Sequence, residues 1–156
     1  MAKHAHVRHD GDAPAYWVLN SLYEVIAASE ETAGAFAVMR MTVPEGWGPP
    51  LHTHPGTESC YVLEGRVRLH LEDEIVECGP GDFFHIPAGH WERFEPTSTV
   101  RLLVTYAPGA NVDRMFAEMG VPAERRELPP ETEPDLERIL QVVARYGLEM
   151  RPPAAL

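Results

Sequence analysis

Cysteine is scarce in this chain: Cys60 and Cys78 are the only two in 156 residues. Two thiols cannot build a disulfide framework, so a reducing, cytoplasmic setting is the expected home. Basic residues are also in short supply, 13 against 24 acidic ones, for a formal charge of −11. A phosphate backbone or an anionic membrane surface would be repelled by most of such a surface, which argues against nucleic-acid and membrane partners. Long apolar runs are missing too. No stretch approaches the roughly 20 residues of a bilayer span, and the opening MAKHAHVRHDGD lacks the apolar run of a signal peptide. Internal repeats are absent. What remains is a length that suits one hydrophobic core.

The pattern of that core is β from about residue 16 to 110, where short apolar or alternating segments are separated by Pro, Gly and acidic turns. Strands are expected over 21–28, 35–43, 51–54, 59–63, 66–72, 74–77, 83–86, 91–95 and 100–106. In RVRLHLE, Val67, Leu69 and Leu71 alternate with Arg66, Arg68 and His70, the mark of one buried and one wet face. After Pro108 the period changes. Val112, Met115, Phe116 and Met119 fall on one helical stripe, with Asn111 placed to cap it and Gly120 to stop it. A Pro- and Glu-rich connector over 121–134 leads to a second stripe, Leu136, Ile139, Leu140, Val143 and Tyr146. The expected organisation is a flexible N-terminus over 1–15, a β-barrel over 16–110 and a helical extension over 111–156, packed on the barrel or on a partner subunit.

The chemistry concentrates in HTHPGTESCYVLEG, residues 52–65. His52 and His54 are two apart, so an extended chain aims both imidazoles from one face, and the turn through Pro55, Gly56 and Thr57 brings Glu58 round to meet them. Two imidazoles and a carboxylate form a ligand set for zinc, iron, manganese, nickel, cobalt or copper. The spacing Gly46, His52-x-His54, Glu58, Gly65, followed by Gly81, Pro87 and Gly89, resembles the two sequence motifs of the cupin superfamily. GPPLHTHP, YVLEG and GPGDFFHIPAG are similar to small single-domain, quercetin-dioxygenase-like bacterial cupins.

That resemblance implies an all-β, jelly-roll-type antiparallel barrel with two C-terminal helices, a divalent transition metal inside near one mouth, and a homodimer. It also implies a fourth ligand two intervening residues after Gly89. The family usually has histidine there, and this chain has Glu92, with His90 two places early and Phe94 at the usual aromatic position. Strand alternation would put His90, Glu92 and Phe94 on one face, so either Glu92 or His90 can replace the missing imidazole. By analogy with the flavonol dioxygenases, a glutamate, Glu58 or Glu92, would accept a substrate proton. Cys60, Phe83, His85, His90 and Phe94 are candidate pocket residues, while His4, His6 and His9 offer only adventitious binding. The implied activity is a dioxygenase-type oxidation of a flavonol-like, aromatic or enol molecule. The alternatives are a non-catalytic barrel holding a metal or metabolite, and a metal-free isomerase using His and Glu for proton transfer.

Overall fold

The computed structural model describes residues 5–151. The chain runs through β1 (Ala15–Val18), β2 (Ser21–Ala27), β3 (Ala37–Val43), β4 (Thr57–Glu64), β5 (Val67–His70), β6 (Ile75–Cys78), β7 (Phe83–Ile86), β8 (Arg93–Pro96) and β9 (Val100–Ala107). It ends with α1 (Val112–Met119), the two-residue β10 (Val121–Pro122) and α2 (Leu136–Arg145). Seven strands form an antiparallel sheet in the order β10-β1-β2-β3-β9-β4-β7, and three form a second in the order β6-β5-β8. Two antiparallel sheets followed by two helices are the arrangement that a jelly roll calls for, although the sheets do not join into one closed barrel.

The period of two explains the core. In β3, Ala37, Met39, Met41 and Val43 are buried, and in β9 so are Val100, Leu102, Val104 and Tyr106. The register sets Met39 against Val104 and Met41 against Leu102, so the same face is apolar on both strands. Val67 and Leu69 of β5 and Phe94 of β8 come from the smaller sheet into the same cluster. One core therefore lies between the two sheets.

Three local expectations change on folding. Residues 51–54 do not form a strand, because prolines 49, 50 and 55 flank them and lack the N–H groups a ladder needs. They are held instead by single bridges from His52 to Glu92 and to Met150. Asn111 sits in the left-handed region (φ 57°), and its side chain caps nothing. The start of α1 is tied to Ser29: Asn111 N–H donates to Ser29 Oγ at 3.3 Å, and Ser29 N–H donates to Asp113 Oδ1 at 2.9 Å. In α2 the buried residues are Ile139, Val142 and Val143, whereas Leu136 is 41% exposed and faces a surface groove.

Gly120 does stop α1, for a reason of space. A Cβ there would meet the Trp17 carbonyl oxygen at 2.1 Å, so only glycine lets the helix end lie against β1. Helix α1 packs on β1 and β3, and α2 packs on α1. Both helices thus close one end of the sandwich.

Candidate metal centre

Four side chains meet at that closed end. The bend around Pro50 lets His52 Nδ1 donate to the Pro50 carbonyl at 2.8 Å. A carbonyl can only accept, so Nδ1 carries a proton and Nε2 faces inward. His52 and Glu92 exchange two backbone hydrogen bonds of 3.0 Å each, which carries Glu92 to the same spot. Glu58, at the start of β4, lies opposite Tyr106 of β9 and Ile86 of β7. The four donor atoms lie within 4.8 Å of one another: His52 Nε2 is 2.9 Å from His54 Nε2 and 3.0 Å from Glu92 Oε1, and His54 Nε2 is 2.7 Å from Glu58 Oε2.

All four residues are buried, Glu92 completely. Although the carboxylate oxygens approach the imidazoles this closely, Glu58 Oε2 and both Glu92 oxygens have no hydrogen-bond partner among the described residues. The short distances show all four side chains turned toward one point. Buried carboxylates without partners are costly, and the cluster calls for a positive charge at its centre. Burial pushes the His52 imidazole down, but the neighbouring Glu92 carboxylate outweighs it and raises the group to about 9. Burial pushes Glu58 up, and His54 and His52 bring it below the usual carboxylate range. A proton or a divalent ion can supply the charge. Two neutral imidazoles and two carboxylates are a donor set that transition ions accept.

The sequence candidates separate cleanly in space. His52, His54, Glu58 and Glu92 come together, and Phe94 lines the cavity beside them. His90 does not share the Glu92 face: it sits exposed in the turn after Pro87, and strand alternation begins only at Arg93. Phe83, 62% exposed, and His85 point outward, because the pairing of Glu58 with Ile86 and Cys60 with Phe84 gives Phe84 and Ile86 the inner face. His85 instead lies 3.3 Å from Ser59 Oγ on the outer face. Cys60 is buried in the core, and burial pushes its thiol far up, so it is an inert packing group. His6 lies beside Glu31 at 3.3 Å, and His4 falls outside the described residues.

Residues not anticipated complete the wall. Tyr23, Met41 and Tyr106 come from the large sheet, and Met115, Phe116, Met119, Val143, Leu148 and Met150 from the C-terminal region. The Tyr106 ring packs on His54 with centroids 5.0 Å apart. Its inward direction was readable from the alternation Val100, Leu102, Val104, Tyr106, but nothing local in the sequence marks Leu148 or Met150. The cavity these groups enclose measures about 30 Å³.

A family model described as a cupin domain matches residues 39–109, which hold the whole cluster. Residues 39–109 are a cupin domain, and the fold is that of solved cupins. This cupin is 28% identical over 152 residues, 95% of its length, to a quercetin 2,3-dioxygenase of Bacillus subtilis, and it spans 44% of that relative. Among solved structures it is similar to an RmlC-like cupin from Shewanella frigidimarina: TM-score 0.62, 15% identity, 70% of this chain and 96% of that one. The polyketide cyclase RemF from Streptomyces resistomycificus gives a TM-score of 0.58 at 26% identity, covering 67% and 80% of the two chains. An oxalate decarboxylase variant from Bacillus subtilis gives 0.57 at 20%, covering 70% of this cupin and 32% of that chain.

Proposed function

We propose that this cupin binds a divalent transition metal through His52, His54, Glu58 and Glu92 and acts as an oxygenase on a small flavonol-like, aromatic or enol molecule. The observation that carries the reading is the convergence of four buried donors, in which Glu58 Oε2 and both Glu92 oxygens have no hydrogen-bond partner among the described residues. Likeness to a quercetin 2,3-dioxygenase over nearly the whole chain supports the substrate class. When bound, a divalent ion supplies Lewis acidity that lowers the pKa of a ligating hydroxyl. The protein side of the chemistry follows from the residues. The Pro50 carbonyl fixes the His52 ring with Nε2 inward, and Tyr106 holds the His54 ring from one side. Glu92 either completes the ligand shell or takes the substrate hydroxyl proton onto a carboxylate oxygen. Met41, Phe94, Met115, Phe116 and Met119 keep bulk water out.

The His52–Glu92 and His54–Glu58 contacts of 3.0 and 2.7 Å also favour a second reading, a metal-free isomerase in which each pair moves a proton. Elemental analysis of untagged protein separates the two, with about one transition ion per chain expected for the oxygenase. Loss of the ion in both His54→Ala and Glu92→Gln makes Glu92 a ligand; loss in His54→Ala alone makes it the proton acceptor. The metal-loaded protein should consume dioxygen with a flavonol or β-diketone from a panel. A metal-loaded protein that consumes none with any of them defeats the oxygenase reading.

A further inference from the structure

The cavity around the four donors, at about 30 Å³, has room for a water molecule or two. Pockets that hold organic molecules run to roughly 300–1,000 Å³. A groove of about 650 Å³ lies immediately outside, and it shares Leu19 and Pro49 with the cavity as common walls. Trp47, Pro50, Leu51, Arg93, Leu136 and Arg151 line it.

We propose that this groove docks a planar organic anion and that Gly147–Arg151 is the wall that moves to admit it to the metal centre. Charge argues for the anion. In a chain of net −11 the groove carries two guanidinium groups. The carboxylate nearest Arg93, that of Glu95, is taken by His70 at 2.6 Å and reaches Arg93 only at 4.0 Å. The flat faces of Trp47, Pro49 and Pro50 fit a planar body.

Backbone geometry argues for the gate. The segment crosses residues 51–53 and is tied there by Thr53 N–H to the Glu149 carbonyl (2.9 Å), Arg151 N–H to the Leu51 carbonyl (2.9 Å) and Glu149 N–H to Thr53 Oγ (3.3 Å). Outside, the Arg151 guanidinium lies 4.1 Å from the centre of the Trp91 ring. Inside, Leu148 and Met150 fill cavity space. Gly147, at φ +81°, serves as the hinge, and a Cβ built there would meet only the Pro55 side chain, at 3.8 Å. Swinging the segment about Gly147 withdraws both plugs and joins groove to cavity. Because the same segment bridges to His52, docking and the metal centre are mechanically connected.

The metal arm of the test rests on the proposed metal site; the other arms do not. Protein loaded with cobalt(II) is stripped with two planar chelators, the dianion pyridine-2,6-dicarboxylate and the neutral 1,10-phenanthroline. Removal by the dianion should saturate with concentration, and Arg93→Gln should raise its half-saturation by about tenfold, the worth of one charge-assisted hydrogen bond, while leaving phenanthroline unaffected. Arg151→Ala should speed removal by phenanthroline, which does not depend on the docking charge, and hydrogen exchange at the Thr53 and Arg151-position amides. A linear dependence on the dianion, or equal weakening of both chelators by Arg93→Gln, overturns the docking site. Unchanged removal in Arg151→Ala, with the Thr53 amide as protected as those of β9, overturns the gate. Should the chain hold no metal, the metal reading falls. The groove is then judged by saturable quenching of tryptophan fluorescence by the dianion, weakened in Arg93→Gln, and the gate by exchange alone; absence of either effect refutes its half of the proposal.

Discussion

Glu92 and Glu24 are both buried carboxylates, and their surroundings give them opposite characters. Neither Glu92 oxygen has a hydrogen-bond partner among the described residues, and His52, 3.0 Å from Oε1, is the one group of the cluster that can offset its charge until a cation enters. Binding of a divalent ion should therefore raise the unfolding temperature, by a free energy of about 2.7 kcal/mol at a hundredfold excess over Kd. In Glu92→Gln the gain at the same ion concentration should shrink or vanish, which calorimetry with and without zinc would read. Glu24, on β2, is fully partnered: Arg40 reaches it with two bonds of 2.9 Å and Arg126 with one of 3.1 Å. The Arg40 hydrogen bonds hold its carboxyl below the ordinary value of 4.5 despite burial. A depressed folded-state pKa contributes stability that is complete above the unfolded value and fades as pH falls through the folded one. Wild type should accordingly exceed Glu24→Gln in stability at pH 7, and the difference should narrow on acidification below about 4.5. Urea titrations across that range would check the sign.

At the scale of elements, the helical stripe of α1 was legible because Val112, Met115, Phe116 and Met119 keep the period of 3.6, and each of them is buried. What local pattern could not reveal is that this stripe roofs the cluster of His52, His54, Glu58 and Glu92. Met115 is fully buried and lines the cavity, so Met115→Ala should lower stability by about 2–5 kcal/mol in chemical denaturation. It should also speed chelator access to a bound ion by thinning the roof. The outer face of β7 was misread for a related reason. FFHI carries a phenylalanine on each parity, Phe83 with His85 and Phe84 with Ile86, and its register against β4 sends Phe84 and Ile86 inward. His90 was misplaced because alternation holds along a ladder and not through the turn that precedes it.

The molecule as a whole leaves apolar surface uncovered. Tyr61, 45% exposed, and Phe83, 62% exposed, face each other across β4 and β7, and β7 is the last strand of its sheet. We expect the homodimer suggested by the family resemblance to cover this pair. Sedimentation should then show a dimer that Phe83→Glu converts to monomer without loss of fold; an unchanged dimer would place the interface elsewhere. No helix among the described residues is long and apolar enough to cross a membrane. The acidic surface is broken by local pairs such as Arg101 with Glu64 and Arg145 with Glu118, and exposed pairs of this kind add little stability.

The strand period, both helices and three of the clustered donors were legible along the chain, because alternation and the spacing of His52, His54 and Glu58 are local properties that survive any packing. The sequence also marked position 92 as the departure from the family pattern. That Glu92 and not His90 turns inward was not legible there, since it depends on a backbone pair with His52, forty residues away in the chain. The same holds for the lid formed by Leu148 and Met150. Their place at the cavity comes from docking of the C-terminal segment on residues 51–53, a contact between distant parts of the chain that no periodicity encodes.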